Sequence, residues 1–308
     1  MSENITHIAA TEDCFHFVGI LDKFSPEFKQ VTQNYVRLSR LTSVTRGGDR
    51  FSVTLLDQIR AEFRKGNFDE FQQRKLAFAL GWICHRAADR CMKPVFGSFD
   101  SKTLRSAVGI DYTASDCSIY NDATIYKLYH ANNNEGPYPK ATFEELMESL
   151  PEHEDVDILG VRALSRVLIQ NSLLAMQEVA VEDGEFDAWL KQINVKRQRF
   201  TLEVERYYGA IFNPNPEKYN KFIVEANFYD GSEPILQMAM KMRTGDKVSS
   251  NLLQDAILTK PESSYAHILN TASRYLEVAN EFFTGDMGVD ELRDRLDIGK
   301  MGRDGIPA

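Results

Sequence analysis

A histidine and an aspartate stand four residues apart, His85 and Asp89, in the stretch Phe78-Ala-Leu-Gly-Trp-Ile-Cys-His-Arg-Ala-Ala-Asp-Arg-Cys-Met-Lys-Pro94. Apolar residues recur there at helical steps, and residues four apart on an α-helix share a face. An imidazole nitrogen and a carboxylate oxygen converging on one point begin a site for zinc or a neighbouring divalent ion. The same residues allow a plainer arrangement. Arg86, Asp89, Arg90 and Lys93 can form salt-bridged pairs along a solvated stripe, and spacing alone does not choose between the two.

The chain holds six histidines. His7, in Thr6-His-Ile-Ala-Ala10, opens an apolar stretch near the N-terminus. Asp49 closes the glycine-rich turn Thr45-Arg-Gly-Gly-Asp-Arg50, just ahead of a helix expected to start near Ser52. A carboxylate at that point either caps the helix or faces a metal. Asp116, Asp122 and His130 lie in or near Cys117-Ser-Ile-Tyr-Asn121, whereas His16, His153 and His267 look incidental.

In order and approximate spacing, residues 1–130 resemble the zinc-dependent phospholipase C family. That family is all-α. It typically shows a Thr-His element near the N-terminus, an acidic loop residue, and an apolar helix ending in Gly-X-X-X-His-X-X-X-Asp with a proline shortly after. Here the matching pieces are Thr6-His7-Ile-Ala-Ala10, Gly47-Gly-Asp49 and Gly81-Trp-Ile-Cys-His85-Arg-Ala-Ala-Asp89, followed by Pro94. The resemblance implies that His7, Asp49, His85 and Asp89 are metal ligands and that a metal-bound water attacks a phosphodiester.

The departures sharpen the expectation. The family commonly supplies further histidines, one shortly after the His-X-X-X-Asp pair and one in a following helix. This chain has none between His85 and His130; Lys93 stands before Pro94 where many members have histidine, and Ser118-Ile-Tyr-Asn-Asp122 comes where another is expected. A protonated lysine cannot ligate a cation and repels it. One zinc, or another single divalent ion, or a site without metal, therefore fits better than a multi-zinc cluster. Asp49 and Lys93 are then the candidate catalytic residues, with Lys93, Arg46 and Arg50 placed around a substrate phosphate. Glycines in Arg46-Gly-Gly-Asp-Arg50 let backbone N–H groups approach such an anion. The expected activity is that of a metal-dependent phosphoesterase-like hydrolase acting on a small-molecule or lipid phosphoester. The alternative is a catalytically decayed relative that binds a lipid head group or a protein, with Asp89 paired to Arg86 or Lys93. Another all-α phosphohydrolase pattern, an adjacent His-Asp pair, does not occur in this sequence.

Helices must position these groups. Three- and four-residue apolar periodicity runs through residues 28–41, 53–63, 71–92, 158–181, 186–208, 219–242 and 265–283, and strand-like alternation is almost absent. The class is all-α, a multi-helical bundle. Ser25-Pro26, Thr142 and Asn215-Pro216-Glu217 read as helix starts. Residues 45–50, 97–120 and 132–139 read as loops, and a break is expected within residues 225–234 with Asp230-Gly231 as the turn. Polar groups within an apolar helix, Arg162, Arg166, Gln170, Asn171, Gln177 and Glu178, read as hydrogen-bonded structural groups. We expect a single domain over residues 1–298, with a metal-site half (1–150), an acidic link at 151–157, a helical half (151–298), and a flexible tail at 299–308.

Composition bounds the function. The 308 residues are 43% hydrophobic and 11% aromatic, ordinary for a globular chain with a sizeable core. A formal charge of -9 argues against a nucleic-acid binder, since phosphates call for a basic surface. The first residues lack a signal-peptide pattern and no apolar run is long enough to span a bilayer, so a cytoplasmic protein without a transmembrane segment is expected. Four scattered cysteines do not make a disulfide scaffold.

Overall fold

The computed structural model describes residues 4–44, 52–99, 109, 111–130 and 204–299. In order these form α1 (Asn4–Ile20), α2 (Pro26–Asn34), α3 (Val36–Ser43), α4 (Ser52–Arg64), α5 (Glu70–Gly97) and α6 (Ala114–Ile125), which runs into a π-helical turn (Tyr126–His130). After them come α7 (Val204–Phe212), α8 (Pro216–Tyr219) with a second π-helical turn (Asn220–Glu225), α9 (Pro234–Arg243), α10 (Ser250–Leu258), α11 (Ser264–Thr284) and α12 (Val289–Arg295). No β-strand occurs among the described residues, in keeping with the all-α expectation. None of these helices is long and apolar enough to cross a membrane.

The bundle is arranged around α1. Residues Asn4 to Phe15, then Phe17 and Val18, are all buried, and a helix buried on every face belongs at the centre rather than the surface. α2, α3, α5, α6 and α11 pack directly around it. α1 nevertheless carries Thr6, His7, Thr11, Glu12 and Asp13 into that interior. Buried polar groups need partners; Thr11 donates to the His7 carbonyl within α1, and Thr6, Glu12 and Asp13 find theirs on other helices.

α5 is the longest element, 28 residues, or about 42 Å at 1.5 Å per residue. Asp69 caps it by accepting the Gln72 N–H at 2.9 Å. It packs against α3, α4 and α11 as well as α1. Gly81 lets α3 come close: a Cβ there would overlap the Thr42 hydroxyl and reach 2.5 Å from the Ser39 carbonyl oxygen. Ser39 Oγ donates to the Ala77 carbonyl at 2.8 Å across the same contact.

Several boundaries differ from expectation. Residues 28–41 are two helices, because Tyr35 leaves helical geometry at φ −123° and turns the chain. α5 continues past Pro94 to Gly97; a proline near a helix end removes only one internal hydrogen bond. The expected loop at 97–120 ends early, since Thr113 accepts the Asp116 N–H at 3.0 Å and starts α6. Residues 219–242 are a π-helical turn and α9, separated by the expected break, where Asp230 Oδ1 accepts the Ser232 N–H at 2.9 Å. Ser25 and Asn215 cap α2 and α8 as their residue types predict. The Arg46–Arg50 turn, the 132–139 loop, Thr142, the 151–157 link, the polar groups from Arg162 to Glu178 and residues 300–308 lie outside the described residues.

Candidate metal centre

Two helices deliver three side chains to one point. His7 comes from the second turn of α1, and His85 and Asp89 come from successive turns of α5. Their ligand atoms all lie within 4.8 Å of one another. His7 Nε2 is 3.5 Å from Asp89 Oδ1, and His85 Nε2 is 3.4 Å from Asp89 Oδ2. The two imidazole rings tilt 32° to each other with centroids 4.8 Å apart.

α3 contributes a backbone group. The Ser43 carbonyl oxygen lies 2.8 Å from His85 Nδ1. A carbonyl can only accept, so Nδ1 carries the proton and donates. That fixes the tautomer and leaves the Nε2 lone pair of a neutral ring facing the Asp89 carboxylate. Two electron-rich groups in that relation repel unless a proton or a cation lies between them. Metal-ligating histidines are held in this way, with the second ring nitrogen donating to a backbone carbonyl.

The spacing fits a metal. Two ligand atoms each about 2.1 Å from a tetrahedral zinc sit about 3.4 Å apart; the two contacts from Asp89 to the histidines match this at 3.4 and 3.5 Å, while the whole group spreads over 4.8 Å and must draw in around an ion. Two histidines and one carboxylate also match the donor set of catalytic zinc sites, which keep a further position open.

The electrostatics suit a cation too. Burial opposes the charge on Asp89, but positive charge on the His85 side, a proton in the place a cation would take, outweighs it and holds its carboxyl well below the usual range. A carboxylate ionised at all ordinary pH values is ready to ligate.

Lys93 complicates the picture. Its Nζ lies 3.3 Å from Asp89 Oδ2, one turn further along α5. The salt-bridged alternative is thus correct for Lys93 and incorrect for the two arginines. Arg86 donates from Nε to the Leu296 carbonyl at 3.0 Å and from Nη2 to the Asp297 carbonyl. Arg90 pairs with Asp297 at 3.7 Å. Both therefore fasten α5 to the turn after α12 rather than to Asp89. Asp49, Arg46 and Arg50 lie outside the described residues.

Asp122 takes a different place. It is fully buried on α6, and its Oδ1 accepts the Thr6 N–H and the Thr6 hydroxyl, each at 2.8 Å. Tyr207 of α7 donates to Oδ2 at 3.1 Å. Burial pushes its pKa up to about 7, against the opposing pull of those donors.

A buried charge network is absent from the sequence-based expectations. Arg243 of α9 donates to Asp13 Oδ1 at 2.8 Å, to the Ala9 carbonyl at 3.1 Å and to Glu12 Oε2 at 3.4 Å. Arg40 of α3 pairs with the other oxygen of Glu12, and Tyr265 donates to Asp13 Oδ2 at 3.0 Å. Burial opposes the charge on Glu12, yet Arg40 and Arg243 together hold its pKa below the usual value. At Asp13 burial wins over the Arg243 guanidinium and raises the pKa. His16 and His130 flank this network, and burial pushes them down to about 4 and about 3. Charge and burial are both present in Thr-Glu-Asp-Cys-Phe15, but residue types alone do not reveal which carboxylates a distant arginine covers.

No family model, curated protein or solved structure matches this chain.

Proposed function

We propose that the chain is a metal-dependent phosphoesterase-like hydrolase in which His7, His85 and Asp89 hold one divalent ion, zinc by donor type. The observation that carries the reading is the orientation of His85, whose donated Nδ1 proton leaves Nε2 aimed at an ionised carboxylate together with His7 Nε2. A divalent ion in such a site lowers the pKa of bound water toward neutrality and polarises a phosphoryl oxygen. Lys93, freed from Asp89, supplies a compact positive charge for a substrate phosphate. On the same reading Asp49 completes the ligand set, as the resemblance to zinc-dependent phospholipase C implies, and the substrate is a small-molecule or lipid phosphoester. The four cysteines are all free thiols, which supports a reducing compartment such as the cytoplasm.

The test is metal content by elemental mass spectrometry on chain purified without chelators or a histidine tag. Wild type is expected to carry about one equivalent of zinc, manganese or iron, and His85→Ala to carry none. An aryl phosphodiester is then expected to be cleaved by the loaded wild type only. No uptake even after zinc is added would sink the hydrolase reading. Lys93 would then be the permanent partner of Asp89, and a lipid head-group or protein binding module would be the better account.

A further inference from the structure

We infer that Asp122 is a positioning residue for the metal centre, closing the first turn of α1 through Thr6 and so aiming the His7 ring at Asp89. The inference rests on the metal reading for its ligand, although its geometry stands in the metal-free chain.

The first four N–H groups of a helix have no partner within it. α1 begins at Asn4, so the Ile5 and Thr6 amides are among these, and both bond to Asp122. A cap normally comes from the residue just before the helix. Here it comes from a residue 116 places away on α6, itself tied to α7 by Tyr207. A local cap would only stop fraying. A cap borrowed from another helix also fixes how the turn is rotated about its own axis.

His7 is the next residue after Thr6. An α-helix turns about 100° per residue, so slight unwinding of this turn carries the imidazole off Asp89. The carboxylate also places negative charge at the positive end of α1. Its oxygens are occupied by the Thr6 amide, the Thr6 hydroxyl and the Tyr207 hydroxyl. It stands outside the group of converging ligand atoms. It therefore acts through His7.

The experiment is cobalt(II) loading of the full chain at pH 8, read by visible absorption. Asp122→Ala is expected to lose about 10- to 100-fold in cobalt affinity, the usual cost of removing an outer support of a ligand, and to give the same spectrum as His7→Ala. Asp122→Asn keeps the shape and one acceptor oxygen for Thr6 while its amide donates to Tyr207, so it should restore the wild-type spectrum. Thr6→Val removes one of the bonds without leaving a void, and should weaken affinity about threefold. A purely structural role would not make Asp122→Ala mimic His7→Ala. Wild-type spectra and affinities in both Asp122→Ala and Thr6→Val would overturn the inference; if Asp122→Ala does not fold, Thr6→Val decides alone. Should wild type take up no cobalt, the metal reading fails by itself. Nuclear Overhauser contacts between the His7 and His85 rings in the metal-free protein then decide: their loss in Asp122→Ala or Thr6→Val supports the inference, and their survival overturns it.

Discussion

Lys93 and a metal ion make opposed demands on one oxygen. Asp89 Oδ2 faces His85 Nε2 at 3.4 Å and the Lys93 ammonium at 3.3 Å. A cation arriving between Asp89 and the histidines meets like charge at a few ångströms, which costs kcal/mol rather than tenths in a partly buried site. Lys93→Met keeps most of the apolar stem and removes the charge. Its zinc affinity, read by titration calorimetry, should exceed that of wild type about tenfold, or about 1.4 kcal/mol. Unchanged or weaker binding would show that the ammonium does not compete for Asp89. Much at this scale was legible in the sequence. The four-residue step of His85 and Asp89 fixed their common face, and the Lys93–Asp89 pair was one of the two arrangements the spacing allowed. The His85–Asp89 approach and the Lys93–Asp89 pair occur together, around one carboxylate. The Ser43 carbonyl could not be foreseen, because every residue has a backbone oxygen and only packing decides which one meets a ring nitrogen.

Packing of that kind is decided between elements. The Ser43 oxygen reaches His85 because α3 approaches α5 closely, and the approach is possible because residue 81 has no Cβ. Gly81→Ala must push α3 outward, since the obstacles are the Thr42 hydroxyl and the Ser39 backbone. Overpacking at such a contact costs about 1 to 3 kcal/mol. Loosening the His85 support should also lower zinc affinity by about tenfold. Among the described residues, nothing lies within 4 Å of the notional Cβ of Gly209 on α7. Gly209→Ala should therefore be neutral or stabilising by up to about 1 kcal/mol, as alanine favours a helix more than glycine. Thermal unfolding and calorimetry on the two variants separate helix propensity from close approach. Equal behaviour would remove Gly81 from the account of the site. Periodicity located α4, α5 and α11 well, because each buries one stripe or a long apolar run. It gave no element for α1, whose burial on all faces leaves no apolar stripe to detect. It also fused α2 with α3, since neither glycine nor proline marks the turn at Tyr35.

At the scale of the whole molecule, the interior holds more charge than a sequence pattern discloses. Arg243 and Asp13 are 230 residues apart in the chain and 2.8 Å apart in the structure. Exposed pairs such as Arg206 with Asp116 contribute at most about 1 kcal/mol. Leaving a buried charge without its partner costs about 3 to 5 kcal/mol, so the network is a commitment of the fold rather than a surface ornament. His130 borders it with a buried Nε2 that has no hydrogen-bond partner, and burial pushes its pKa from 6.5 to about 3. The sign of the consequence follows from proton counting. Below pH 6.5 the unfolded chain binds a proton at His130 that the folded chain refuses, so acid favours unfolding through this group until about pH 3. Each such histidine contributes a slope of about 1.4 kcal/mol per pH unit. Asp122 works the other way. Its folded value of about 7 lies above the ordinary 3.8, so between these the folded state holds a proton the unfolded state releases, and its contribution grows as pH falls. Glu12 and Asp89, whose pKa values are lowered, lose their stabilising contribution only below their ordinary values of 4.5 and 3.8. Asp122 and His16 also act between pH 6.5 and 5, so His130 is isolated only by the difference between wild type and a variant that lacks it. His130→Gln removes its proton uptake, and denaturant unfolding across that window should show the variant losing about 2 kcal/mol less than wild type. Parallel stability curves for the two proteins would mean that His130 takes up its proton in the folded state, and that the interior around Glu12 and Arg243 is wetter than its burial implies.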